Sequence, residues 1–114
     1  MDPIYELQAT VLKTLANPRR LQIVHVLAEG PADVSELAAR LQISQPNVSQ
    51  HLAVMRAAGV VEGDRAGRTV RYRLIDSDVV VACDTMRRVL RRRLLRLANL
   101  STAPTAEVAA AASI

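Results

Sequence analysis

The chain has 114 residues, enough for one domain that buries only about two-thirds of its unfolded surface, so its core is modest and self-association would add to it. Half of the residues are hydrophobic with no Trp or Phe and only Tyr5 and Tyr72, which excludes disorder throughout and makes the core aliphatic. The net charge of +4 suits an anionic partner, and the lone Cys83 excludes an intramolecular disulfide, a CxxC redox pair or a cysteine zinc cluster within one chain.

Ile4, Leu7, Val11, Leu12 and Leu15 follow helical spacing and predict a first helix that ends before Asn17-Pro18. Pro18 suits the first turn of a second helix reaching about Ala28, with Leu21, Val24 and Leu27 or Ala28 inward and Gly30-Pro31 as its stop. Asp33 and Glu36 have the form of a capping box and open a third helix of about two turns carrying Val34, Leu37, Ala38 and Leu41. After the link Gln42-Ile43-Ser44, Ser44 is placed to cap a fourth helix with Pro46 in its first turn and Gly59 just past its end. Two helices joined so tightly make a helix-turn-helix candidate.

Val60 to Asp64 and Thr69 to Leu74 read as a hairpin turning at Gly67, with Val70, Tyr72 and Leu74 alternating against Thr69, Arg71 and Arg73. Asp76 or Ser77 then caps a long last helix to about Asn99, along which Val79, Cys83, Met86, Leu90, Leu94 and Leu97 step by three and four. The expected architecture is mainly α with a small β-hairpin. From Arg65 to Arg96 ten Arg stand against Asp76, Asp78 and Asp84, a local balance of +7. The Arg run at 87 to 96 reads as the solvated flank of the last helix, whose leucines take the apolar side. Residues 1–99 are expected to form the domain and residues 100–114, rich in small residues, a flexible tail. The start MDPIYELQ lacks the basic and apolar stretches of a signal peptide, and no segment approaches the roughly 18 apolar residues of a bilayer span. The expectation is a cytoplasmic protein with no membrane partner.

In the fourth helix Val48, Leu52 and Met55 share one face, which leaves Gln45, Asn47, Ser49 and Gln50 outward. Amide and hydroxyl side chains of this kind pair with base edges in a major groove, although small polar residues also simply solvate a helix start. The hairpin that follows favours the first reading, because an exposed face bearing Arg65, Arg68, Arg71 and Arg73 can reach flanking phosphates. Arg on a strand also blocks edge-to-edge pairing, the alternative role for these side chains.

The segments LKTLANPRRLQIVHVLAEG (12 to 30), VSELAARLQISQPNVSQHLAVMRAAGVV (34 to 61) and GRTVRYRL (67 to 74) resemble the arsenic-repressor (ArsR/SmtB) family of winged helix-turn-helix regulators, in order and in spacing. The resemblance runs to about Asn99. It implies the order α1-α2-α3-α4-β-β-α5, a fourth helix that reads the major groove, a hairpin that acts as the wing, and a two-fold dimer through the first and last helices. Gln45, Asn47, Ser49 and Gln50 are then the base-contacting positions, with Ser44, His51, Arg65, Arg68 and Arg71 on the backbone or in the wing. Ile4, Leu7, Val11, Cys83, Met86, Leu90 and Leu94 become the dimer interface.

The metal sites of that family do not carry over. SELAAR at 35 to 40 stands where one site needs cysteines, and Arg87, Arg88, Arg91 and Arg92 stand where another needs His, with Asp84 the one carboxylate. No metal and no cofactor are expected. His25 reads as a partly buried packing residue and Cys83 as a core or interface thiol. The functional expectation is a dimeric repressor on an inverted-repeat operator in double-stranded DNA, with any effector ligand or partner protein unidentified. A sequence-independent architectural DNA-binding protein and a winged-helix protein-interaction module remain as alternatives. An enzyme is not expected, since no paired acid and base, nucleophile motif or phosphate-cradling glycine loop is present.

Overall fold

The computed structural model describes residues 1–100. Among them the order is α1 (Pro3–Leu15), α2 (Pro18–Leu27), β1 (Ala32–Asp33), α3 (Val34–Leu41), α4 (Gln45–Ala57), β2 (Val61–Ala66), β3 (Thr69–Leu74) and α5 (Asp78–Leu100). The tail expected from residue 100 onward lies outside the described residues apart from Leu100, which ends α5. Packing groups Met1–Val80 as one compact unit, while the described part of a second unit is α5 from Val81.

Helix starts follow from side-chain oxygens that accept otherwise unpaired backbone N–H groups. Asp2 accepts from Ile4 N at 2.9 Å, Asn17 from Arg19 N and Arg20 N at 2.9 and 3.2 Å, Asp33 from Glu36 N at 2.8 Å, and Ser44 from Asn47 N at 3.3 Å. Each such cap contributes about 1 kcal/mol, and Pro in the first turn of α1, α2 and α4 sacrifices no helical hydrogen bond. Between α3 and α4 the chain reverses at Gln42, whose φ of 57° is left-handed, with Ile43 N bonded to Ala38 O at 3.2 Å. This closes the helix-turn-helix in a three-residue link.

The core is aliphatic and lies among α2, α3, α4 and the start of β2. Ile23 and Val24, Leu37, Val48, Leu52 and Met55, Val60 and Val61 are all essentially inaccessible. One expectation fails here: Leu21 is 38% exposed and Ile23 is fully buried in its stead. The inward stripe of α2 is Ile23, Val24 and Leu27, displaced around the helix from the one predicted.

The predicted two-stranded hairpin is a three-stranded antiparallel sheet in the order β1-β3-β2. β1 adds the pairs Ala32↔Tyr72 and Asp33↔Arg71, and a two-residue strand carries no periodicity by which to be read. β2 starts one residue later and runs two residues further than expected, pairing from Val61↔Leu74 to Ala66↔Thr69. The two-residue turn begins with Gly67 at φ 66°, the left-handed first position that a type II′ hairpin turn requires.

Candidate nucleic-acid interface

Three residues fix the orientation of α4. Val48, Leu52 and Met55 are 0–1% exposed, so the opposite side of the helix is held outward by the core itself. Gln45, Asn47, Ser49 and Gln50 are all exposed, as expected, but they do not share one line. Helical spacing puts Gln45 and Ser49 on the flank that continues to Ala53 and Arg56, Gln50 on the outermost ridge, and Asn47 on the flank of His51. The Ser44 cap leaves its hydroxyl hydrogen available to an outside acceptor, at the helix end where backbone dipoles favour an anion.

His51 is half-buried rather than displayed. Arg20 on α2 donates its Nε–H to His51 Nδ1 at 3.3 Å and an Nη1–H to Thr14 O at the end of α1 at 3.0 Å. An acceptor at Nδ1 must be unprotonated, which leaves the ring proton on Nε2 as the group that can meet a phosphate. Burial pushes the His51 pKa down from its ordinary 6.5, and the nearby charges of Arg20 and then Arg19 push it the same way. His51 is therefore a neutral donor at pH 7. His25, expected to be partly buried, is exposed.

The basic face expected on the hairpin is split by the strand register. Arg65 pairs across the ladder with Val70 and so lies on the face of Val70 and Tyr72, opposite the face of Arg71 and Arg73. Arg71 and Arg73 are already engaged. Arg73 bonds Asp64 at 2.8 Å and Glu62 at 3.0 Å, while Arg71 bonds Pro31 O at 2.7 Å and reaches Glu36 at 3.4 Å. Arg71, expected on the DNA backbone, ties the sheet to the chain entering α3. Glu36 spends its carboxylate on that tie, whereas a reciprocal capping box would have used it on α3. Among the described residues Arg56, Arg65 and Arg68 have no acidic partner.

Between α4 and β3 lies an open cleft of about 480 Å³ lined by Ser49, Leu52, Ala53, Arg56, Ala57 and Tyr72. Gly63 keeps the Tyr72 ring in place: a Cβ at 63 would sit 2.7 Å from Val70 Cγ1 and 3.2 Å from Tyr72 Cε1. Arg20, Arg56, Gly63 and Tyr72 were missed in the sequence as site residues. The Asn17-Pro18 start of α2 was the one signal that could have placed Arg20, by fixing its turn.

On α1, Ile4 is 54% and Leu7 62% exposed, and Val11 is half-buried. On α5, Met86 is 60% exposed, and Cys83, Leu90 and Leu94 are half-buried. Burial raises the Cys83 pKa, which lowers its thiolate fraction. Among the described residues no group of three or more His, Cys, Asp or Glu gathers within the chain, and no helix is long and apolar enough to cross a membrane.

The sequence profile described as "Bacterial regulatory protein, arsR family" matches residues 17–63. The HTH-type transcriptional repressor SmtB of Mycobacterium tuberculosis is 48% identical over 73 residues, 64% of this chain and 54% of that protein, so the chain spans about half the length of this relative. The transcriptional activator HlyU of Vibrio cholerae is 39% identical over 79 residues, 69% of this chain and 73% of that protein. The solved HlyU structure matches with a TM-score of 0.71 at 36% identity, covering 78% of this chain and 97% of that one. The solution structure of the homodimeric winged helix-turn-helix DNA-binding domain of Mb0332 from Mycobacterium bovis matches with a TM-score of 0.74 at 31% identity, covering 82% of this chain and 90% of that one. With a tight helix pair, a hairpin wing and relatives matched over most of their length, the chain belongs to the arsR family of bacterial regulatory proteins.

Proposed function

We infer that the chain is a dimeric, sequence-specific transcriptional repressor that binds an inverted-repeat operator in double-stranded DNA. The observation that carries this reading is the outward polar surface of α4, held by the fully buried Val48, Leu52 and Met55 beneath it. Gln45, Asn47, Ser49 and Gln50 would contact bases, with Ser44, His51, Arg65 and Arg68 on the backbone. Residues 1–99 would serve as the DNA-binding and dimerisation domain. The apolar positions of α1 and α5, namely the exposed Ile4, Leu7 and Met86 and the half-buried Val11, Cys83, Leu90 and Leu94, would supply the two-fold interface, as the homodimeric Mb0332 domain supports. The repressor SmtB supports the direction of regulation. The reading is of a cytoplasmic binding protein without catalysis.

Selection from a randomised DNA library, followed by footprinting, tests it. Two protected half-sites about one helical turn, or 10 bp, apart are expected, with a reporter downstream silenced. Equal affinity for selected and random duplexes would favour an architectural protein, and no binding at moderate salt a protein-interaction module. Sedimentation should give a dimer at micromolar concentration, and Leu7→Glu or Met86→Glu should shift it towards monomer.

A further inference from the structure

Two consecutive arginines at the start of α2 reach different elements. Arg19 donates an Nη1–H to Gln22 Oε1 at 3.1 Å and to Leu41 O, at the end of α3, at 3.4 Å. Arg20 crosses instead to α1 and α4, donating an Nη1–H to Thr14 O at 3.0 Å and its Nε–H to His51 Nδ1 at 3.3 Å. Arg20 and His51 are both half-buried. His51 stands one turn after Asn47 on the same flank of α4, so a guanidinium anchored at the end of α1 holds the flank from which Asn47 projects. The aliphatic core beneath α4 decides which side faces outward, but apolar contact is non-directional and opposes small rotations and slides only weakly. A hydrogen bond from a planar fork is directional and resists them.

We propose that Arg20 is a positioning residue for DNA reading: through His51 it fixes α4 relative to α1, and proton uptake by His51 releases α4 and lowers the preference for the operator over other DNA. The inference rests on the dimeric DNA-binding reading above, in which α1 lies in the interface and the angle between α1 and α4 sets the separation of the two recognition helices. An imidazolium has no lone pair at Nδ1 and faces the guanidinium as a like charge. The surrounding groups do not offset that charge. Arg20 and Arg19 on α2 are cationic, the last turn of α1 carries Lys13, and α4 carries Arg56 and no carboxylate. The carboxylates on the other elements packed against α4, Glu36 on α3 and Glu62 and Asp64 on β2, are bonded to Arg71 and Arg73. Of the cations there, Arg40 bonds Glu29, and Arg65 adds positive charge.

The test measures the ratio of affinities for the selected operator and a random-sequence duplex, from about pH 8 to about pH 5, and for operators whose half-sites are moved apart by a single base pair. Taking a ratio cancels the general gain in DNA affinity that any protonated histidine brings. The native ratio should fall by roughly fivefold per protomer as pH drops below 6.5, as the loss of one net hydrogen bond implies. Arg20→Ala and His51→Leu, verified as folded dimers by circular dichroism and sedimentation, should show the lowered ratio already at pH 8, tolerate the moved half-sites and have a flat profile. His51→Asn offers Oδ1 to Arg20 in place of Nδ1 and does not titrate. It should lose affinity for all DNA alike, with the Nε2–H, yet keep the native ratio at every pH. If Arg20→Ala does not fold, the two His51 variants decide. The proposal is overturned if His51→Leu keeps the native ratio, if the native ratio does not change with pH, or if His51→Asn declines with pH as the native chain does. In each of those cases a native ratio well above one at pH 8 leaves the DNA-binding reading standing, whereas a native ratio near one removes that reading itself.

Discussion

The guanidinium of Arg20 donates to Nδ1 of His51 at 3.3 Å and joins α2 to the helix that would read DNA. The bond exists only while His51 is neutral, and burial with the Arg20 and Arg19 charges keeps its pKa below 6.5. Between that lowered value and 6.5 the unfolded chain binds more protons than the folded one, so stability rises with pH across the window. The contribution is complete above 6.5 and is lost as pH falls towards the folded pKa. Urea unfolding from pH 8 to pH 5 should show a decline that begins near 6.5, above the range where the Glu29 carboxylate, held low by Arg40, begins to protonate. His51→Ala should flatten that upper part of the decline. An identical profile in the variant would show that the proton is taken up elsewhere.

Arg20 also caps α1 by donating to Thr14 O at 3.0 Å, so one side chain serves three helices. Removing it leaves a carbonyl and an imidazole nitrogen to find water. Arg20→Ala should cost about 1–3 kcal/mol by chemical denaturation. Arg20→Lys should recover little of this, because a single ammonium cannot place donors towards both partners as the planar fork does. A lysine variant as stable as the native chain would mean that the geometry of the fork is irrelevant.

Gly63 is needed for packing and has an ordinary backbone. Any Cβ there meets Val70 Cγ1 at 2.7 Å and the Tyr72 ring at 3.2 Å, and both belong to β3, the central strand of the sheet. Gly63→Ala should therefore destabilise by about 1–3 kcal/mol and displace Tyr72 from its cleft. Adding Val70→Ala should return part of the loss, since the closest clash is with the Val70 methyl. Additive effects in the double variant would place the strain elsewhere.

Those three relationships also mark how far the sequence could be read. Helix order and the caps at Asp33 and Ser44 were legible because they depend on residues within one turn of each other. So was the outward set on α4, which follows from the spacing of Val48, Leu52 and Met55. What was illegible depends on pairing between distant segments. The split of Arg65 from Arg71 and Arg73 follows from a ladder register, and a one-residue change in register would exchange the faces. The Arg71 bond to Pro31 O spans forty residues and exists because β1 adds to the sheet. Leu21 and Ile23 differ by less than one helical turn, and only the position of α3 and α4 decides which of them is inward.

The reversal at Gln42 completes the helix-turn-helix with a non-glycine residue at φ 57°. A Cβ in that region crowds the following carbonyl and costs roughly 1–2 kcal/mol, whereas glycine is unstrained there but loses more backbone entropy on folding. The Gln42 side chain is exposed, so its removal forfeits no core packing. Gln42→Gly should accordingly stabilise the chain by about 0.5–1 kcal/mol, read as a raised urea midpoint at unchanged slope. Gln42→Val, with a β-branched side chain in the same conformation, should destabilise it by 1 kcal/mol or more, on the order of the strain quoted for this region. DNA affinity should survive the glycine variant, because the α3–α4 angle is also held by Ile43 N on Ala38 O and by Leu37, Val48 and Leu52 in the core. A glycine variant that melts lower would show that the Gln42 conformation is compensated by an interaction of its own side chain.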